Sequence, residues 1–148
     1  MSVQRIEVTL AILHQDNHFL MQLRDDFPDI AYPGCWGFFG GHLEQGESPD
    51  AGIKRELWEE IGYTPPTLTL FNRYIDDRVL RYVYHAPLTP SIGELVLTEG
   101  QDLGLCSPEE VRQGYRYSAK IQETRPLGEI HQTILLDFLA KSDLVSSG

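Results

Sequence analysis

A chain of 148 residues, 41% hydrophobic and 23% charged, has the size and composition of one globular domain, Met1 to Gly148, that buries its own core without staples. Its net charge of −10 argues against a nucleic-acid polymer as partner, because phosphate-backbone binding runs on Lys and Arg, but leaves room for a small anion held through a divalent cation. The two distant cysteines, Cys35 and Cys106, show no ligand spacing, no apolar run approaches the roughly 20 residues of a membrane span, and Glu7 and Thr9 break the early apolar stretch of a would-be signal peptide. A reduced, cytoplasmic setting without a membrane partner is expected.

Arg5 to His14 is dense in β-branched and apolar residues and reads as a strand. Gln15, Asp16 and Asn17 make a turn, and His18 to Leu23 reads as the hairpin partner. Asp25 to Gly34 is a loop marked by Pro28, Pro33 and Gly34. Trp36 to Phe39 is a short apolar run ending at Gly40 and Gly41. A helix then follows from Ser48 as cap and Pro49 as first residue to about Ile61, stopped by Gly62 and by Pro65 and Pro66. Thr67 to Ile75 and Val79 to Ala86 read as a hairpin around Asp76 and Asp77, followed by a loop from Pro87 to Gly93. A short strand near Leu103 to Cys106 leads into Ser107-Pro108-Glu109-Glu110, a capping-box pattern that opens a short helix. The last helix is expected over residues 128–141, with Ile130, Ile134, Leu135, Phe138 and Leu139 as its buried stripe and Val145 to Gly148 as a frayed tail. Mixed strands and helices, with several antiparallel neighbours, predict a mixed sheet covered by helices.

The second of these elements after the loop, the helix from Pro49, carries an acidic edge. With Glu56 set at zero on a helix that turns ~100° per residue, Glu60 falls at about 40° and Glu59 at about 300°. Ile53, Leu57 and Ile61 fall at about 60°, 100° and 140°, on a separate apolar face. Like charges at this spacing repel. Arg55 is close and Lys54 lies on the far side, which is thin compensation. The spacing alone fits a solvated acidic face as well as a site for a hard, oxygen-loving cation.

The stretch GHLEQGESPDAGIKRELWEEIGY, residues 41–63, resembles the box of the Nudix (MutT-like) hydrolase family, G-x5-E-x7-R-E-U-x-E-E-x-G-U with U a bulky aliphatic residue. Gly41, Glu47, Arg55, Glu56, Leu57, Glu59, Glu60 and Gly62 match in register; Tyr63 stands at the last U position. The run Trp36-Gly37-Phe38-Phe39-Gly40-Gly41 also resembles the lead into the box, with Phe39 where proline is common. Beyond these segments the likeness lies in the order of elements.

The resemblance implies a Nudix-type α/β/α sandwich with a mixed β-sheet. It implies metal-dependent hydrolysis of a diphosphate linkage, by water attack at phosphorus, in a nucleoside diphosphate linked to another moiety: a nucleoside triphosphate, nucleotide sugar, ADP-ribose or similar. Mg²⁺ or Mn²⁺ would be held by Glu56, Glu59, Glu60 and the Gly41 carbonyl. Glu47 and Arg55 would pair to fix the loop against the helix. Glu99, in the loop Leu97-Thr98-Glu99-Gly100-Gln101, stands where many family members place a further glutamate that binds metal or serves as general base. Arg24, at the end of the second strand, stands near where similar enzymes place a basic residue on the diphosphate, and reads equally as an ordinary solvated strand end. His42 is the histidine nearest the chemistry; His14, His18, His85 and His131 read as structural. Tyr32, Trp36, Phe71 and Tyr74 read as core rather than as a base-stacking platform. Two other readings stay open: a non-catalytic Nudix-like binding or regulatory module, and a Nudix-fold isoprenoid diphosphate isomerase, for which Cys35 would be the needed thiol. The substrate and the oligomeric state are not legible, and a homodimer is left open.

Overall fold

The computed structural model describes residues 4–147, with side chains described as far as residue 141. Its elements in chain order are β1 (Ile6–Gln15), β2 (His18–Leu23), β3 (Trp36–Gly37), β4 (Phe39–His42), α1 (Pro49–Ile61), β5 (Thr69–Ile75), β6 (Val79–Pro87), a single 3₁₀ turn (Ile92–Glu94), β7 (Asp102–Cys106), α2 (Pro108–Gln113), β8 (Tyr115–Ser118), β9 (Glu123–Pro126) and α3 (Glu129–Ser147). They fall into two compact units. One takes the chain up to Gln15 together with Phe39–Thr98; the other takes Asp16–Phe38 and the chain from Glu99 onward.

In the first unit β1 runs parallel to β6, with Thr9 beside Tyr82, and antiparallel to β4, with Thr9 opposite Gly41. β5 pairs antiparallel with β6, so the sheet is mixed, as expected. The Asp76 turn that joins β5 to β6 is locked by its own side chain: Oδ1 accepts the amides of Arg78 and Val79, both at 2.8 Å. α1 begins and ends where its sequence signals place it. The Ser48 hydroxyl accepts the Ala51 amide at 3.2 Å, Pro49 opens the first turn, and Gly62, at φ +67°, closes the last. Ile53, Leu57 and Ile61 are fully buried. Each such side chain stabilises by about 1.5–3 kcal/mol, so this apolar face anchors the helix and leaves its acidic edge turned elsewhere.

In the second unit β2 pairs antiparallel with β3 and with β7. The capping box of α2 is complete: Ser107 Oγ accepts the Glu110 amide and the Glu110 carboxylate accepts the Ser107 amide. Ile134, Leu135 and Leu139 of α3 are buried, Ile130 and Phe138 half-buried, and Phe138 meets Phe19 edge-on at 6.0 Å.

Three features depart from the expectation. The apolar run before the helix does not stop at the glycines: β4 continues through Gly40 and Gly41 to His42, because its amides and carbonyls pair with β1 regardless of side chain. The β8–β9 hairpin has no counterpart in the sequence reading. α3 continues to Ser147, past the expected end at Lys141, so residues 145–147 of the tail expected over Val145 to Gly148 belong to the helix, and Gly148 lies outside the described residues. Among the described residues no helix is long and apolar enough to cross a membrane.

Candidate active site

The acidic edge of α1 is organised by one cation, Arg55, more fully than the sequence suggested. Its guanidinium grips Glu47 with two bonds, Nε to Oε2 at 2.8 Å and Nη2 to Oε1 at 3.0 Å. Nη1 lies 3.1 Å from Glu56 Oε1 and 3.2 Å from Glu59 Oε2, and Nε lies 3.7 Å from Glu44. Nη2 also donates to the His42 carbonyl at 3.2 Å. The compensation for the clustered acid is therefore not thin; a single guanidinium supplies it for four carboxylates. The Glu47 side chain is only 12% exposed, and its Oε1 takes the Glu44 amide as well. The Arg55 hydrogen bonds, backed by that amide, hold the Glu47 carboxyl down to about 2, well below its ordinary value. The same pairing raises Arg55 further above its already high range.

The glutamates are held in different ways. Glu60 Oε1 accepts the Gly40 amide at 3.0 Å. Glu56 lies half-buried against the backbone of Gly41, so close that a Cβ there would stand 2.6 Å from Oε1; only glycine leaves room for the carboxylate at that place. Gly40 is equally confined, since a Cβ would lie 2.0 Å from the Thr9 carbonyl. Glu59 is the exposed member of the three. The end of α1 is tied down by Thr98, whose hydroxyl donates to the Glu59 carbonyl at 3.0 Å and whose amide donates to the Glu60 carbonyl at 3.2 Å. Neither Thr98 nor Glu44 was singled out by the sequence. Both act through backbone or surface contacts that no spacing rule marks.

As they stand, no three His, Cys, Asp or Glu side chains among the described residues converge on one point as a metal ion requires. The cause lies in the contacts just given: Arg55 draws Glu56 and Glu59, while Glu60 turns to an amide. The donor set still fits a hard divalent cation. It consists of oxygen alone, it shares one helix edge, and the Glu56 carboxylate already rests in the glycine cradle at Gly41. Rotation of side chains, with the cation taking over part of the charge that Arg55 neutralises, would suffice.

The remaining candidates lie as follows. Glu99 is exposed in the bend before Gly100, one residue beyond Thr98. Arg24 is half-buried, with Nε donating to the Ala31 carbonyl at 2.7 Å. His42 presents an exposed side chain. His131 is buried and its Nδ1 accepts the Phe38 amide at 3.3 Å, while His14 and His85 stack on one another at 6.2 Å and are pushed towards the neutral form by burial. Trp36 is wholly buried, its indole N–H on the Arg116 carbonyl, which makes it core. Phe71 and Tyr74 are half-buried in β5, and Tyr32 sits edge-on to His131. Tyr63, the departure in the box, shares a hydrogen bond with Thr89 at 3.1 Å. Cys35 is half-buried and burial pushes its thiol up.

Residues 3–125 match the family described as the NUDIX domain. The chain belongs to the Nudix family. It is 34% identical over 115 residues to the CTP pyrophosphohydrolase of Escherichia coli (strain K12), a match spanning 75% of this chain and 82% of that protein. A shorter match, 30% identical over 71 residues, joins it to the 8-oxo-dGTP diphosphatase of the same organism and spans 48% of this chain and 54% of that one. Among solved structures, the solution structure of the E. coli ORF135 protein superimposes with a TM-score of 0.70 at 30% identity, covering 93% of this chain and 91% of that one. The fold is accordingly the mixed α/β fold of Nudix proteins, and the chain is a Nudix-type pyrophosphohydrolase acting on phosphorus-containing anhydrides. Nudix hydrolases generally use divalent metals.

Proposed function

We propose that this Nudix protein is a Mg²⁺- or Mn²⁺-dependent hydrolase that cuts the diphosphate linkage of a nucleoside diphosphate carrying a further moiety, and that both compact units belong to its one catalytic domain. The observation that carries this reading is the edge of α1: three carboxylates at one, four and five positions along an anchored helix, with the Glu56 carboxylate seated over Gly41. Glu56, Glu59, Glu60 and the Gly41 carbonyl are the groups we assign to the cation. When bound, the cation supplies a water of lowered pKa and neutralises phosphate charge.

The chain's own residues do the rest. Arg55 and Glu47 fix the loop that follows Gly41 against α1. Gly40 holds Glu60 in place through its amide. Glu99 follows Thr98, which is bonded to the carbonyls of Glu59 and Glu60, and we assign Glu99 as a further ligand or the general base. Arg24 donates Nε to the Ala31 carbonyl, and we assign its guanidinium to the diphosphate of the substrate. Because the relative matched at 34% is a CTP pyrophosphohydrolase, pyrimidine nucleoside triphosphates head the substrate panel, followed by oxidised purine triphosphates, nucleotide sugars and ADP-ribose. Two unpaired cysteines suit a reducing cytoplasm.

The test is a product analysis of that panel with and without metal. A nucleoside monophosphate released only with Mg²⁺ or Mn²⁺ is expected, and turnover should fall by about 10² in Glu60→Gln, the scale of losing one electrostatic contact to the transition state. Full turnover after rigorous chelation would overturn the reading.

A further inference from the structure

Thr9 is a polar residue in the middle of β1 with 0% exposure, and among the described residues its Oγ1 is the buried side-chain oxygen that finds no hydrogen-bond partner. A buried hydroxyl left unpaired loses its water without recompense, and native structures seldom keep one without a use.

The strand register says what this hydroxyl faces. Thr9 stands opposite Gly41 in the antiparallel pair of β1 and β4. Opposed residues project from the same face of the sheet, with Cβ positions about 4.5–5.5 Å apart. A Cβ on Gly41 would lie 2.6 Å from Glu56 Oε1 and 2.9 Å from Oε2. The Thr9 side chain and the Glu56 carboxylate therefore share one face, on either side of the space that glycine leaves open. The parallel neighbour β6 gives the same answer. Tyr82 lies beside Thr9 and its hydroxyl reaches Glu7, two residues back along β1; Tyr84 lies beside Ala11 and its hydroxyl reaches Asp50 on α1. Glu7, Thr9 and Ala11 thus all face the side of the sheet on which α1 lies.

We propose that Thr9 is a positioning residue for Glu56: its hydroxyl donates across the Gly41 gap, directly or through one buried water, to the Glu56 carboxylate oxygen that is turned away from a bound cation. The inference rests on the reading of Glu56 as a metal ligand. Glu56 Oε1 now lies 3.1 Å from Arg55 Nη1. Arg55 is committed to Glu47 by two bonds and cannot follow Glu56 to a cation. A ligating carboxylate needs a donor for its second oxygen to fix its orientation. A hydroxyl suits the place because it orients the carboxylate without adding a positive charge that would compete with the ion. Threonine also keeps the β-branched shape that β1 needs at a wholly buried position.

The test compares Thr9→Val, which keeps the shape and removes the hydroxyl, with Thr9→Ser, which keeps the hydroxyl. Mn²⁺ affinity is measured by calorimetric titration without substrate, alongside the Tm of each metal-free protein. Thr9→Val is expected to weaken Mn²⁺ binding by about tenfold, as loss of a group that orients a metal ligand does, while its metal-free Tm equals or exceeds that of the wild type. Thr9→Ser should stay within about twofold of wild-type affinity, since its hydroxyl serves the same carboxylate. Wild-type Mn²⁺ affinity in Thr9→Val would overturn the inference alone, and so would a metal-free Thr9→Val less stable than the wild type, because the hydroxyl would then have a partner without metal. A wild-type protein that binds no Mn²⁺ would instead overturn the reading of the acidic edge as a metal site, and this inference with it.

Discussion

Arg55 in the first unit and Arg116 in the second are buried to a similar degree, with 24% and 19% of their side chains exposed, yet they do opposite work. Arg55 gives its donors to carboxylates and to the His42 carbonyl. Arg116 lays its guanidinium 4.5 Å over the Trp36 ring and donates to the carbonyls of Leu105 and Tyr117. It also fills the space beside Gly104, where a Cβ would lie 2.4 Å from Nη2. Its nearest ion-pair partner, Glu110, stands at 4.0 Å. Arg116 uses its flat shape and its forked donors to seal a buried ring. Arg55 uses its charge to hold together acids that would otherwise drive one another apart. A buried arginine is thus a statement about function only when its partners are themselves charged and clustered.

The largest expected effect comes from breaking the charged station. Arg55→Ala leaves Glu47 without its two bonds and Glu56 beside Glu59 without the cation between them. Turnover should fall by tenfold or more and Tm by roughly 5 °C. Added Mn²⁺ should raise the Tm of the variant by more than it raises that of the wild type, because the ion replaces lost positive charge. A lower Tm with unchanged turnover would make Arg55 a fold residue like Arg116.

Arg116→Met is the matching cut on the other side. The stem survives, while the cation over Trp36 and the bonds to two carbonyls are lost. Tm should fall by roughly 3–6 °C, with turnover and Mn²⁺ affinity unchanged. A shift in Mn²⁺ affinity would show that the two stations are coupled, and the contrast drawn between them would fail.

The same contrast explains what could be read from the sequence. α1 was legible to the residue, because Ser48, Pro49, the period of Ile53, Leu57 and Ile61, and Gly62 all state the same helix. The capping box at Ser107 was legible for the same reason. β8 and β9 were not: Tyr115 and Tyr117 are both exposed, the intervening Arg116 is the half-buried one, and their turn includes a positive φ at Gln122 instead of a glycine. A hairpin that buries an arginine and exposes its aromatics inverts the alternation by which strands are recognised. At the site, the pairing of Glu47 with Arg55 follows the family pattern. The reach of Arg55 to Glu44, and the hydroxyl of Thr9 facing the Gly41 gap, depend on which residues the folded chain brings to one face. Spacing along the sequence does not carry that.

The smallest effect is a pH dependence that separates the station from an ordinary turn. Glu47 is held down to about 2 from an ordinary value of 4.5, chiefly by the Arg55 hydrogen bonds. Asp76 is held down to about 2 from 3.8, chiefly by the amides of Arg78 and Val79. A carboxyl whose folded pKa is depressed contributes stability that is complete above its unfolded pKa and is lost as the pH falls through the folded one. For Glu47 that contribution is full above about 4.5 and fades between there and about 2; for Asp76 it fades between about 3.8 and about 2. Glu47→Gln and Asp76→Asn remove the titrating group, so each should melt below the wild type at pH 6, with the gap closing as the pH approaches 2. The two gaps should differ in their response to salt. Glu47 rests on a guanidinium whose charge is shared with other carboxylates, so its gap should narrow in 1 M salt. Asp76 rests first on two neutral amides, and its gap should narrow less. Equal narrowing in the two variants would show that Arg55 holds Glu47 by hydrogen-bond geometry alone, and that charge is not what distinguishes this station.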